Sequence, residues 1–214
     1  MPRAVLTREV IVDAAFELLA EGGLEAITAR ALALRLGVQA GALYYHLRDM
    51  AALRDEMATR IVRRLMSEAG QAIGMDWRTL LRSLAHRERA LLLEYREGAR
   101  VVSGTFLTDD ETLRTIETPL SALVAEGFSP VDAQRAISTM NAFVIGHVIE
   151  EQQRREAGET RYTVEQRRAR LDPIEQPLSY AVSAEVVDLP EETFTWGVEA
   201  LIAGIASQHP DPTA

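Results

Sequence analysis

The sequence predicts an all-α protein, and three observations carry that prediction. Apolar residues recur at helical spacing along most of the chain. No run alternates apolar and polar residues between hairpin turn signals, and no internal repeat appears. The chain has 214 residues, of which 47% are hydrophobic, enough for a real core and too much for disorder as the main state. It contains no cysteine, which excludes a disulfide scaffold, a thiolate metal cluster and a cysteine nucleophile. No stretch is apolar for long enough to span a membrane, and Asp13, Glu17 and Glu21 interrupt what would be a secretory leader, so a cytoplasmic location off the membrane is expected.

Each element can be justified in order. Between Thr7 and Glu21, Val10, Ile11, Ala14, Ala15, Leu18 and Leu19 share one helical face, with Thr7 as cap and Gly22-Gly23 as stop. Thr28 caps a short helix whose Leu32, Ala33 and Leu36 point inward, and Gly37 supplies a turn of positive φ. A second short helix follows over about Gln39 to His46. Asp49 caps a longer one, Met50 to Met66, with Leu53, Met57, Ile61 and Leu65 in line. Trp77 to Glu94 is helical, and Gly98 to Gly104 is a shorter element. The runs Asp109 to Glu126 and Pro130 to Arg155 are each read as one helix, separated by Gly127-Phe128-Ser129. The second is apolar almost all round, which implies burial on two sides. Residues 156–175, with Gly158 and Pro173 among many charges, read as a mobile connector, and Leu178 to Val187 as a short helix because nothing else could pair with it as a strand. Asp188-Leu189-Pro190-Glu191 opens a last apolar helix through Phe194, Val198, Leu201, Ile202 and Ile205. These elements divide the chain at 1–49, 50–66 and 67–214, with residues 50–66 as a connecting helix.

Charge placement agrees with that division. The whole chain carries −9, yet residues 1–66 hold nine Arg against eight acids, and no acid lies between Glu25 and Asp49, where Arg30, Arg35 and Arg48 fall. Two short helices around a glycine turn, inside the one acid-free basic window, match the arrangement that lays its second helix in a DNA major groove. The small residues Ala40, Gly41 and Ala42 let the backbone approach base edges, and Tyr44, Tyr45 and His46 present polar tips and ring faces. Taken alone, Tyr44-Tyr45 fits core aromatic packing equally well.

The residue order Ile27-Thr28-Ala29-Arg30, Leu32-Ala33, Leu36-Gly37-Val38 and Gly41-Ala42-Leu43-Tyr44-Tyr45-His46 strongly resembles the TetR family of bacterial transcription repressors. Further matches at Trp77, Ala90-Leu91-Leu92, Gly98-Ala99-Arg100-Val101, Gly104-Thr105, Glu126-Gly127-Phe128-Ser129, Gly146 and Glu150 extend it over about residues 5–206 and place it nearest the tetracycline-repressor branch. The resemblance implies that Thr28 and Arg30 reach the backbone and a guanine, that Gln39, Ala40 and Ala42 face bases, and that Tyr44, Tyr45 and His46 meet phosphates and thymine methyls. Where the family often has Lys, this chain has Met50, and Arg48 is the candidate substitute. Where the branch holds its drug and magnesium ion with His, Asn, His and Gln, this chain has Met66, Leu84, Val102 and Pro119; only Thr105 and Glu150 match. The resemblance thus implies a small hydrophobic effector in place of a magnesium chelate. The expected lining is Met66, Leu84, Val102, Thr105, Phe106, Met140, Asn141, Val144 and His147.

Other chemistry is sparse. His147 with Glu150 and Glu151 has metal-ligand spacing but no third partner, and His86-Arg87-Glu88 reads as a salt-bridged surface. There is no phosphate loop, nucleophile elbow or His-Glu-x-x-His. No catalytic residue, metal or cofactor is expected. The expected protein is a ligand-responsive repressor that binds double-stranded operator DNA as a homodimer, with 1–49 as a three-helix helix-turn-helix DNA-binding domain, 50–66 as the connecting helix and 67–214 as a helical ligand-binding and dimerisation domain. The alternative is a helical small-molecule-binding or enzyme module that does not bind DNA.

Overall fold

The computed structural model describes residues 5–67, 75–157, 163–188 and 191–209, and helices are the only regular elements among them. In α1 (Arg8–Gly22) the Thr7 hydroxyl accepts the Val10 amide at 3.3 Å, and Gly23 at φ 73° ends the helix. Thr28 caps α2 (Ala29–Leu36) by accepting the Ala31 amide at 3.1 Å, and Gly37 at φ 65° turns the chain into α3 (Ala40–Leu43). Asp49 opens α4 (Met50–Ser67), accepting from Ala52 at 2.7 Å. Ile11, Ala15 and Leu19 of α1, Leu32 of α2, Leu43 of α3 and Leu53 and Met57 of α4 are buried in the shared core.

α3 is shorter than expected. Beyond Leu43 the amides of Tyr44, Tyr45 and His46 bond three residues back, to Gly41, Ala42 and Leu43, instead of continuing the α pattern. No side chain caps the helix at Gln39, and Gly41 in its second position lowers helix propensity by about 1 kcal/mol relative to alanine.

The larger part comprises α5 (Trp77–Glu94), α6 (Gly98–Val102), α7 (Asp110–Thr115), α8 (Glu117–Ala125), α9 (Pro130–Ala157), α10 (Val164–Arg168), α11 (Pro177–Ala181), α12 (Ser183–Asp188) and α13 (Glu191–Gln208). The run read as one helix over Asp109 to Glu126 is two, because Pro119 has no amide to donate to Thr115, the last residue of α7. The segment read as a mobile connector is partly regular: Thr163 and Gln166 form a reciprocal capping box that starts α10, while 158–162 lie outside the described residues. Leu178 to Val187 falls across two helices, α11 and α12.

α5 packs against α9 and α13, burying Trp77, Leu80 and Leu81 with Met140, Val144 and Val148 and with Phe194, Val198 and Ile202. Arg89 of α5 pairs with Glu151 of α9 and Glu191 of α13 while lying over the Phe194 ring, so one guanidinium joins three helices. Within one chain α9 buries only one face. The opposite face, with Ala142, Gly146 and Gln153, is exposed, so the second burial implied by its all-round apolar character is not met inside this chain.

Candidate functional site

The helix-turn-helix presents its expected side chains outward. Thr28, Arg30, Gln39, Ala40 and Arg48 are exposed, Ala42 and His46 are partly exposed, and Tyr45 and Tyr44 are 90% and 51% exposed. Core aromatic packing for the two tyrosines is therefore excluded. Arg30 has no carboxylate partner among the described residues, and its neighbours in sequence, Ala29 and Ala31, are small. Two parts of the expected basic surface are engaged elsewhere. Arg35 turns back to Glu17 at 2.9 Å and Glu21 at 2.5 Å on α1, and these carboxylates hold its pKa up. Arg48 lies 3.0 Å from Asp49, a solvent-facing pair of the kind that adds little stability. Arg8 donates to the His46 carbonyl at 3.3 Å and pairs with Glu56 at 3.0 Å, tying the end of the reading turn to α1 and α4.

A cavity of about 360 Å³ opens between α4, α5, α6, α8 and α9. Of the nine expected lining residues, Met66, Leu84, Val102, Thr105, Met140 and Asn141 lie on its wall, as does Pro119. Three do not. Phe106 is 79% exposed outside it, because its amide is bonded to Asp55 of α4 at 3.0 Å and its ring points away. Val144 is fully buried in the α5–α9 core. His147 packs against the Phe143 and Phe194 rings, and burial first, then the nearby Arg89 guanidinium, hold its pKa below the ordinary value. Glu150 lies 3.7 Å from Arg154 and Glu151 pairs with Arg89 and Arg155, so the His147-Glu150-Glu151 spacing gathers no metal site. Among the described residues no group of three or more His, Asp or Glu comes together to hold a metal ion.

One wall residue was misread. Glu88 does not belong to a salt-bridged surface; it lines the cavity, where burial pushes its pKa from 4.5 up to about 8. The signal was present in the spacing, since Leu81, Leu84, Ala85 and Glu88 stand at i, i+3, i+4 and i+7, and an acid in an apolar stripe is informative.

Cavity and reading head are physically joined. α4 carries Leu53 and Met57 in the head's core at one end and Val62, Leu65 and Met66 on the cavity wall at the other. A second link runs through the α5–α6 corner. There Glu97, in the left-handed region at φ 51° and 7% exposed, accepts the Leu24 amide of the head and pairs with Arg100. Arg96 donates to the Glu21 carbonyl at 2.9 Å, and Gln152 of α9 fixes the corner by donating to Leu92 and Tyr95 carbonyls at 2.9 and 2.8 Å.

A helix-turn-helix with an outward basic and aromatic face, linked by one long helix to a small-molecule-sized cavity, defines the class of one-chain DNA-binding regulators. The family models agree and specify it. Residues 11–57 match the bacterial regulatory proteins of the tetR family, and residues 71–209 match the tetracyclin repressor-like C-terminal domain. The chain belongs to the TetR family. It is 37% identical to the class D tetracycline repressor protein of Escherichia coli, over 96% of this chain and 91% of that one. Among solved structures, a possible TetR family transcriptional regulator from Streptomyces coelicolor A3(2) superposes with a TM-score of 0.82 at 32% identity, covering 94% of this chain and all of that one. A TetR variant from Acinetobacter baumannii AYE in complex with minocycline gives 0.74 at 31%, covering 95% and 98%. Among the described residues no helix is long and apolar enough to cross a membrane.

Proposed function

We propose that this chain is a cytoplasmic, ligand-responsive transcriptional repressor that binds a palindromic operator as a homodimer and is released by a small hydrophobic effector. The observation that carries this reading is the shared helix: α4 supports the reading head at one end and walls the cavity at the other. Thr28 and Arg30 open the reading surface, Gln39, Ala40 and Ala42 face the bases, and Tyr44, Tyr45, His46 and Arg48 face the backbone. Two such surfaces on a two-fold axis read half-sites about one duplex turn, ~34–36 Å, apart. The partner covers the open sides of α9 and α13, where Trp196 is 74% exposed and small residues such as Ala200 and Gly204 line a shallow groove. An effector that fills the cavity displaces α4 and the α5–α6 corner, and so swings the heads away from that spacing. A preference of ~1–3 kcal/mol for the displaced conformation lowers operator affinity 5–150-fold.

The experiment selects duplex fragments retained by the protein and then measures affinity for the winner against salt concentration. Phosphate contacts give a steep fall of log affinity with log salt. If no fragment is enriched and mobility is unchanged at low salt, the chain is a helical binding module and the repressor reading is wrong. Sedimentation tests the dimer: a species of about twice 23.7 kDa is expected, converted to the single chain by Ala200→Arg.

A further inference from the structure

Glu88 is a solitary carboxyl in an apolar chamber. Leu81, Leu84 and Ala85 share its helical face and the cavity wall. No hydrogen bond or ion pair from a described residue reaches it. The cations on the packed helices are engaged elsewhere: on α4, Arg63 with Asp109 at 2.8 Å and Arg64 with Glu94 at 2.6 Å; on α5, Arg87 with the Leu65 carbonyl at 3.5 Å and Arg89 with Glu151 and Glu191. From α6, α8 and α9 the wall receives Val102, Pro119, Gln134, Ile137, Ser138 and Asn141, none of them ionisable. Glu88 is thus the one charge-bearing group on the wall among the described residues.

A carboxyl so placed is kept neutral by its own proton, because nothing compensates its charge. A neutral apolar guest leaves this half-buried acid without a partner, and an anion is repelled. A cation changes the balance, since it supplies the opposite charge and lets the proton leave to solvent. We infer that the cavity selects a lipophilic organic cation, an amine or quaternary ammonium on an apolar body, with the Glu88 carboxylate as its counter-ion. This rests on the reading of the cavity as the effector site and narrows that effector from any hydrophobic molecule to a cationic one. Leu81, Leu84 and Ile137 enclose the body, and the volume falls within the ~300–1,000 Å³ of small-molecule sites.

The test titrates the full-length protein with decyltrimethylammonium, whose charge does not depend on pH, and with 1-decanol as its neutral counterpart, by calorimetry at pH 7 and pH 9. Wild type should bind the cation about tenfold more tightly at pH 9 than at pH 7, because a carboxyl with a pKa of about 8 is only about one-tenth ionised at pH 7. Glu88→Gln should remove that pH dependence and weaken the cation roughly tenfold at pH 9, while leaving decanol binding intact. Leu84→Trp and, from the opposite wall, Ser138→Trp should block both compounds. If wild type and Glu88→Gln bind the cation equally at both pH values while the fillers still block it, the cavity reading stands and the counter-ion is overturned. If neither compound binds, or if both bind despite the fillers, the cavity reading fails and this inference fails with it.

Discussion

Glu88→Gln also makes a prediction that needs no ligand. The carboxyl titrates at 4.5 when free and at about 8 in the fold, so above pH 4.5 the folded chain keeps a proton that the unfolded chain releases. Stability therefore falls as pH rises, at most about 1.4 kcal/mol per pH unit, and levels off above pH 8. The full interval, from 4.5 to about 8, corresponds to about 5 kcal/mol. Glutamine fills the same space and does not titrate. In urea unfolding at one fixed protein concentration, the variant and wild type should differ least at pH 5, with the variant's advantage growing toward about 5 kcal/mol by pH 9. Every other titrating group is common to both proteins and drops out of the difference. A difference that stays constant from pH 5 to pH 9 would show that Glu88 titrates at its ordinary value, and would refute the placement of its carboxyl inside the chamber.

Three further outcomes are expected. Arg30→Ala should weaken specific operator binding by roughly 1–3 kcal/mol, whereas Tyr45→Ala should weaken specific and nonspecific duplexes alike; equal small losses in both variants would mean that the reading surface lies elsewhere. Glu97→Gly keeps the left-handed backbone free of strain and removes the acceptor for the Leu24 amide, so hydrogen exchange at that amide should accelerate roughly tenfold or more while α5 and α9 stay protected. Asp109, whose pKa is pulled down to about 2 by the Thr112 amide first and Arg63 among the rest, stabilises the α4–α7 contact above pH 4 and loses that contribution as pH falls toward 2. Asp109→Asn should cost about 1 kcal/mol at neutral pH, with the gap closing in acid, as thermal unfolding across pH 2.5–7 would report.

The elements that a local pattern determines were legible in the sequence. α5 spans Trp77–Glu94 as its periodicity predicts, and Thr7, Thr28, Asp49 and Gly37 do at the termini what caps and a positive-φ glycine do. The misreadings share a cause. A long apolar run conceals Pro119 because a proline near a helix start is permitted, and only the missing amide against Thr115 shows that two helices meet there. The charge-rich segment before α11 conceals α10, whose capping box joins two polar residues, Thr163 and Gln166, without an apolar stripe to announce it. α3 is cut short at Leu43, where Gly41 in its second position and a Gln39 cap without a side-chain bond leave it weakly supported.

Site residues divide along the same line. The outward placement of Thr28, Arg30, Gln39 and the two tyrosines was legible because a helix-turn-helix is local, and these residues lie on a short stretch of chain. The cavity is assembled from five helices, so the residues that close it depend on how α8 and α9 lie over α5, which no window of sequence encodes. Phe106, Val144 and His147 were assigned by their place along the chain, and each misses the cavity because a tertiary contact claims it: Asp55 holds the Phe106 backbone, the α5–α9 core takes Val144, and the Phe143 and Phe194 rings take His147. Glu88 shows the converse. Its neighbours Arg87 and Arg89 made a surface network the natural reading, yet Arg89 belongs to Glu151 and Glu191 and Arg87 reaches the Leu65 carbonyl, leaving the acid between them to turn inward. The helix stripe that places Leu81, Leu84 and Ala85 on the wall places Glu88 there as well, and at i+7 periodicity decides the face more firmly than charge does.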